Sequence, residues 1–280
     1  MAIAHRRIGT GPVRVIVLHD WFGTSANWGS VLDHLDPEGF SYVFLDYRGY
    51  GDRRDVSGRH NLAEIADDVL ELADQLGWDT FSLLGHSMGG KAVQQVLVRA
   101  PERVEKLIGL APVPAAPYAM DDTTHALFHG AATDPDKRRT ILDLVTGNRA
   151  SRHWLDRMVA HSLAVSRPEA FAGYLESWQP LDLSAAVKGN TVPVLVLVGE
   201  YDLAITPDVM RATWQACYPD CRIVTIPGSG HYPPHETPVA FVTEVEAFLR
   251  TWPRPRAHEK SRGARGSLVP HGINRVSDGT

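Results

Sequence analysis

The chain has 280 residues, 44% of them hydrophobic and 22% charged, with 28 Lys and Arg against 33 Asp and Glu, so that its formal net charge is −5. This is an ordinary soluble globular composition, long enough to bury a sizeable core without disulfides or metal staples. The mildly acidic balance offers no general field to phosphate backbones or anionic lipid heads, which excludes nucleic acid and membrane surfaces as default partners. Near the start, MAIAHRRIGTGPVRVIVLH holds an apolar run that comes too late and is too short for a signal peptide or a membrane span. A cytoplasmic location is therefore expected.

Short apolar runs bounded by turn residues predict strands at Val13–Leu18, Tyr42–Leu45, Thr80–Leu84, Lys106–Leu110, Val194–Val198 and Arg222–Ile226. Helix-length stretches fill the gaps. In one of them Leu62, Ile65, Ala66, Val69, Leu72, Ala73 and Leu76 recur at three- and four-residue spacing, which puts one apolar stripe against a sheet. The expected class is α/β, a mostly parallel, doubly wound sheet with helices on both faces. Between Pro114 and Ala186 the alternation stops, and helical patches follow around Lys137–Val145, His153–Val165 and Pro168–Trp178 before the sheet pattern resumes at Val192. A helical cap of about residues 115–186, inserted over the carboxyl ends of the strands, accounts for this within a body of residues 1–251.

Residues 252–280 hold six basic side chains (Arg254, Arg256, Lys260, Arg262, Arg265, Arg275) against Glu259 and Asp278. That local charge of +4 leaves −9 for residues 1–251. Rich in Gly, Pro and Ser and without an apolar period, the segment is expected to be a flexible basic tail. Cys217 and Cys221 form neither a redox pair of the C-x-x-C type nor half of a zinc pattern, and are expected as reduced structural thiols.

The most informative stretch is TFSLLGHSMGGKAVQQVLVRA, in which an apolar strand runs into Gly85-His86-Ser87-Met88-Gly89 and directly on into a helix. A serine on so tight a strand-to-helix turn is forced into a strained conformation, and small residues two before and two after it avoid a clash. The strain lifts the hydroxyl out of the sheet. It also sets Ser87 at a helix N-terminus, where unsatisfied N–H groups favour negative charge developing on a substrate oxygen.

Together with HDWFGTSANW upstream, DYRGYGD between and GSGHYPPHETP near the end, GHSMGG resembles the α/β-hydrolase superfamily over about residues 10–250. The resemblance implies a triad in the chain order nucleophile, acid, histidine: Ser87, Asp202 and His231. Asp202 follows the run VPVLVLV, at the strand end where ligands bind in open α/β sheets, and Glu200 competes with it. His231 follows the strand RIVTI and the turn Pro227-Gly228-Ser229-Gly230, and is expected as general base. His235 lies four residues on, but Pro233 and Pro234 exclude a helix that would align the two rings as metal ligands; His125 and His129 share that spacing without a third ligand. No metal and no cofactor are expected.

By the same match, the backbone N–H groups of Trp21 and Met88 form the oxyanion hole. Asp20 departs from the family pattern, where glycine is usual. It is expected to strain the backbone, and its carboxylate needs to point away or find a partner, a nearby arginine being one candidate. Asp46 and Arg48 resemble the family's loop-bracing pair, while Arg53 has no assigned role.

The implied activity is a cofactor-free serine hydrolase acting on a carboxylic ester or lactone through an acyl-enzyme. Carbon–carbon bond hydrolases and perhydrolase or haloperoxidase-like enzymes keep the same triad, and a ligand-binding receptor or pseudoenzyme would keep the pocket without turnover. Phe22, Trp154, Met158 and Trp178 are candidates for an apolar roof over Ser87, with Leu155, Phe171, Tyr174 and Leu175 beside them. With no Arg or Lys forced into the pocket by any motif, the expected substrate is a small molecule with a neutral, moderately apolar acyl group.

Overall fold

The computed structural model describes residues 2–251, and the basic tail expected at 252–280 lies outside the described residues. Seven strands form one sheet: β1 (His5–Ile8), β2 (Val13–Leu18), β3 (Phe40–Leu45), β4 (Phe81–His86), β5 (Val104–Leu110), β6 (Val194–Gly199) and β7 (Cys221–Ile226). Their order is β1-β3-β2-β4-β5-β6-β7, with β1 antiparallel to β3 and every other pairing parallel. The mostly parallel doubly wound sheet is thus present, with one strand more than the sequence pattern predicts. β1 was invisible to that pattern because HRRI is an exposed edge strand with no apolar face.

The strands alternate in what they bury. Ile16, Leu18, Val43, Leu83, Val194 and Val196 join the core beneath α1 (Leu62–Gln75) and α2 (Met88–Arg99). Their neighbours Val15, Val17, Tyr42, Leu84, Leu195 and Leu197 face the opposite way, towards Phe241 and Val245 of the last helix, Pro238–Arg250. Period-two alternation with both faces apolar is what a sheet covered on both sides requires. Cys217 and Cys221 are free thiols, and burial pushes both above the usual thiol range, Cys221 to about 12. No helix among the described residues is long and apolar enough to cross a membrane.

Between β5 and β6 lie α3 (Asp122–Gly130), α4 (Pro135–Val145), α5 (Arg152–Val165), α6 (Pro168–Trp178) and the short α7 (Ser184–Val187). α4, α5 and α6 coincide with the three expected patches. α3 has no fully buried residue, so it lacks the apolar stripe that would have betrayed it, and starts instead at an Asp121 cap whose side chain accepts from the Thr124 N–H. The cap is bonded to the body at several points. Arg167 N–H donates to Gly49 O at 2.9 Å, Tyr174 OH to Arg48 O at 3.1 Å, and Leu62 N–H to Ser177 Oγ at 3.0 Å.

Lys91, one turn beyond Ser87 on α2, is fully buried and donates to Ala116 O at 2.9 Å and to Trp178 O at 2.8 Å. These carbonyls stand at the start of the cap segment and at the end of α6. Burial pushes the lysine down to about 8. Lys91→Met would leave both carbonyls buried without a donor, at about 1–3 kcal/mol each, partly offset by no longer burying an ammonium. Limited proteolysis should then cut the cap faster than in the wild type, and an unchanged cleavage rate would show that the cap closes without this bond.

Candidate active site

β4 ends at His86, α2 begins at Met88, and Ser87 between them has φ 53° and ψ −114°. Such a backbone costs a non-glycine residue about 1–3 kcal/mol and persists only where surrounding bonds fix it. Here Ser87 N–H donates to Leu110 O on β5, while Ser87 O accepts from the N–H groups of Gly90 and Val113, each at 2.9 Å. A Cβ at Gly85 would come within 2.2 Å of Gly89 O, and one at Gly89 within 2.6 Å of Leu18 O. The turn is therefore packed backbone to backbone. Ser87 alone in the elbow is half-buried, its neighbours being buried.

Asp202 lies just past β6 and His231 just past β7, so adjacent parallel strands deliver both side chains to the same end of the sheet. His231 Nδ1 donates to Asp202 Oδ2 at 2.6 Å. The other oxygen, Oδ1, accepts from the N–H groups of Ala204 and Ile205 at 2.9 Å each, which fixes the carboxylate plane. Burial alone would lower the proton affinity of His231, but the charge and hydrogen bond of Asp202 outweigh it and hold its pKa above the ordinary value. Glu200, the competing acid, is exposed and accepts from Gly228 N–H at 2.8 Å, bracing the turn that leads to His231. Among the described residues no hydrogen bond joins Ser87 Oγ to His231 Nε2; in an unliganded site such bonds commonly form or tighten only when substrate binds.

The loop after β2 carries Asp20 and Trp21. Tyr47 OH donates to His19 O at 2.7 Å and Tyr50 OH to Trp21 O at 3.0 Å, so two carbonyls of this loop are turned towards the DYRGYGD segment. Met88 opens α2, where first-turn N–H groups lack intrahelical acceptors. Asp20 does not adopt a positive φ, so the expected backbone strain is absent. Nor, among the described residues, does an arginine pair with it. Its Oδ2 accepts from Tyr232 OH at 2.8 Å and from Phe22 N–H at 3.2 Å, a partnership invisible to a reading that looked for a cation. Asp46 accepts from Ser25 N–H and Ser25 OH, and Arg48 forms a bidentate pair with Asp68, so both brace loops. Arg53 joins them, 2.8 Å from Asp68.

The expected roof divides in two. Trp21 stacks on Phe171 with centroids 3.9 Å apart and donates its indole N–H to Phe171 O, while Phe22 and Trp178 meet it edge-on. Trp154 and Met158 instead line a groove of about 760 Å³ with Asn27, Arg157, His161 and His235; Ser87 is not among its lining residues, and Trp154 meets Tyr232 edge-on at 5.5 Å. Tyr118, unanticipated, meets Trp178 edge-on at 5.8 Å; burial and the nearby Asp202 charge raise its phenol pKa. Also unanticipated is Arg138, buried in the cap, whose guanidinium lies 3.8 Å over the ring of Phe171 and donates to Ala131 O and Ser162 Oγ.

His235 sits in a single helical turn, Pro233–Glu236, which the two prolines begin rather than prevent, with His231 outside it. Its Nε2 bonds Asn27 O at 3.2 Å. The rings of His125 and His129 stack at 3.9 Å, and no group of three or more metal-ligating side chains is found among the described residues.

Residues 13–238 match the family described as alpha/beta hydrolase fold. Over 253 residues the chain is 29% identical to the pimeloyl-(acyl-carrier protein) methyl ester esterase of Nitrosomonas europaea, covering 86% of this chain and 96% of that protein. Among solved structures, an esterase from Exiguobacterium antarcticum superposes with a TM-score of 0.78 at 20% identity, covering 88% of this chain and 95% of that one. A bromoperoxidase from Bacillus anthracis gives 0.79 at 20% identity, covering 88% and 94%. Likeness at that identity is one of fold, and one fold carries several chemistries. The matched span runs from β2 through the Ser87 elbow and the cap to the end of the His231 loop, and the chain belongs to the α/β-hydrolase fold family.

Proposed function

We propose that this chain is a carboxylic ester hydrolase in which Ser87 is the nucleophile, His231 the general base and Asp202 the residue that orients it. The observation that carries this is the 2.6 Å bond from His231 Nδ1 to Asp202 Oδ2, with His231 O in turn bonded at 2.8 Å by His86, the residue before the strained, half-buried Ser87. Ser87 Oγ attacks the ester carbonyl while its proton passes to His231 Nε2. The N–H groups of Trp21 and Met88 hold the oxyanion. As the intermediate collapses, the alcohol leaves with the proton from His231. Water then attacks the acyl-enzyme, its proton goes to His231, and the acid is released as Ser87 recovers the proton.

The aromatic wall of Trp21, Phe22 and Trp178 suits a neutral, moderately apolar acyl group. The Trp178 indole N–H, buried and without a partner among the described residues, is available to a substrate oxygen. The curated relatives are named for a methyl ester, which supports the ester of a small alcohol as substrate. A fluorophosphonate should label the protein stoichiometrically on the peptide containing Ser87, and short p-nitrophenyl esters should turn over. A folded sample that neither labels nor turns over would be a binder rather than a hydrolase.

A further inference from the structure

We propose that Asp20 is a positioning residue for this reaction: one buried carboxylate that fastens the oxyanion loop to the His231 loop and sets a second negative charge, beside Asp202, in the surroundings of that imidazole. The inference rests on the ester-hydrolase reading of the triad.

Asp20 is 4% exposed, and among the described residues no lysine or arginine pairs with it. A carboxylate so placed is tolerated only when hydrogen-bonded. Its bonds run to both sides of the catalytic centre. Phe22 N–H, on the oxyanion loop, donates to Oδ2 at 3.2 Å; Tyr232 OH, one residue past the base, donates to the same oxygen at 2.8 Å. The other oxygen, Oδ1, stands 3.9 Å from His86 Nδ1. On its far side the His86 ring donates Nε2–H to His231 O at 2.8 Å, and its centroid lies 5.2 Å from that of His231.

A His86 that donates from Nε2 and is neutral carries a lone pair on Nδ1, which explains why the 3.9 Å approach to Oδ1 is no hydrogen bond. Burial pushes His86 down to about 4, so at working pH it does not cancel the charge of Asp20. Three carboxylates act on His231: Asp202 from the loop after β6, Asp20 from the loop after β2, and Glu236 from the turn that follows His231. Each favours the imidazolium. His86 and Tyr232, the other titratable groups against the ring, are neutral there.

The geometry separates the tether from the charge. In Asp20→Asn the amide oxygen can keep Tyr232 and Phe22, while the NH₂ group faces the lone pair of His86 Nδ1, so the tether stays and the charge goes. Asp20→Ala removes both. Tyr232→Phe cuts the tether and leaves the charge. The test is kcat/KM against pH on a p-nitrophenyl ester, with the rate of fluorophosphonate labelling as a second readout and circular dichroism to establish folding. The active form of His231 is neutral, so losing a negative neighbour moves the acid limb to lower pH. Asp20→Asn should move it by about half a unit or more with a plateau within about threefold of wild type. Asp20→Ala should show the same shift with a plateau lower by about tenfold. Tyr232→Phe should lower the plateau without moving the limb down.

A limb that stays in place in folded Asp20→Asn overturns the proposal, whatever happens to the plateau. So does a downward shift in Tyr232→Phe as large as that in Asp20→Asn. Failure of the triad reading looks different, since Ser87→Ala would then keep wild-type turnover, a result that no pH profile of Asp20 variants imitates.

Discussion

Ser87→Ala should lower kcat/KM towards a p-nitrophenyl ester by about a millionfold and abolish fluorophosphonate labelling, with the fold unchanged. The hydroxyl is the only group removed. Alanine keeps the Cβ and inherits the same φ of 53°, and the bonds that hold this backbone, from Leu110 O, Gly90 N–H and Val113 N–H, involve no side-chain atom of residue 87. A folded variant without a nucleophile is therefore expected. On the proposed mechanism, what survives is the stabilisation that the N–H groups of Trp21 and Met88 give to an oxyanion formed by water attack. Retention of a tenth of the wild-type rate would mean that Ser87 is not the nucleophile.

Asp202→Asn should lower kcat by about ten-thousandfold, because the amide cannot satisfy all three of its neighbours. Oδ1 of Asp202 receives two N–H bonds, from Ala204 and Ile205, and Oδ2 receives the Nδ1–H of His231. If the amide oxygen stays with the two backbone donors, its NH₂ group meets His231 Nδ1 and forces the proton onto Nε2, where it blocks acceptance from Ser87. If the amide turns over, its NH₂ group opposes two backbone N–H groups in a buried site. Either way the tautomer or the loop is wrong. Steady-state kinetics on the folded variant checks this, and a loss of less than tenfold would return the role of acid to another carboxylate.

The features that were legible in the sequence are those set by local rules. The apolar runs of β2 to β7 and the stripe of α1 follow from periodicity, and the Ser87 turn from glycines that leave room for main chain. β1 and α3 were missed because neither has a fully buried residue, so neither leaves an apolar period to read. Of the proposed site, chain order carried the pair that the structure bonds together, Asp202 and His231, whose side chains meet at 2.6 Å. The site was not legible where distant side chains meet. Tyr232 comes to Asp20 from 212 residues away, and Phe171 brings its carbonyl to the Trp21 indole from 150 residues away. Such encounters are fixed by the packing of cap on body and have no spacing rule. The buried cations Lys91 and Arg138 were missed for a related reason: each is satisfied by main-chain carbonyls or hydroxyls, so no acid in the sequence announces it.

The bond partners of Lys91 bear on how such a cap diversifies. Its ammonium belongs to the body, and it grips Ala116 and Trp178 only by their carbonyl oxygens. Any sequence that brings two peptide carbonyls to those points satisfies it equally, since the grip reads main chain and not side chains. The insertion can thus be rewritten residue by residue, or exchanged whole for a relative's, while its moorings on the catalytic body stay the same.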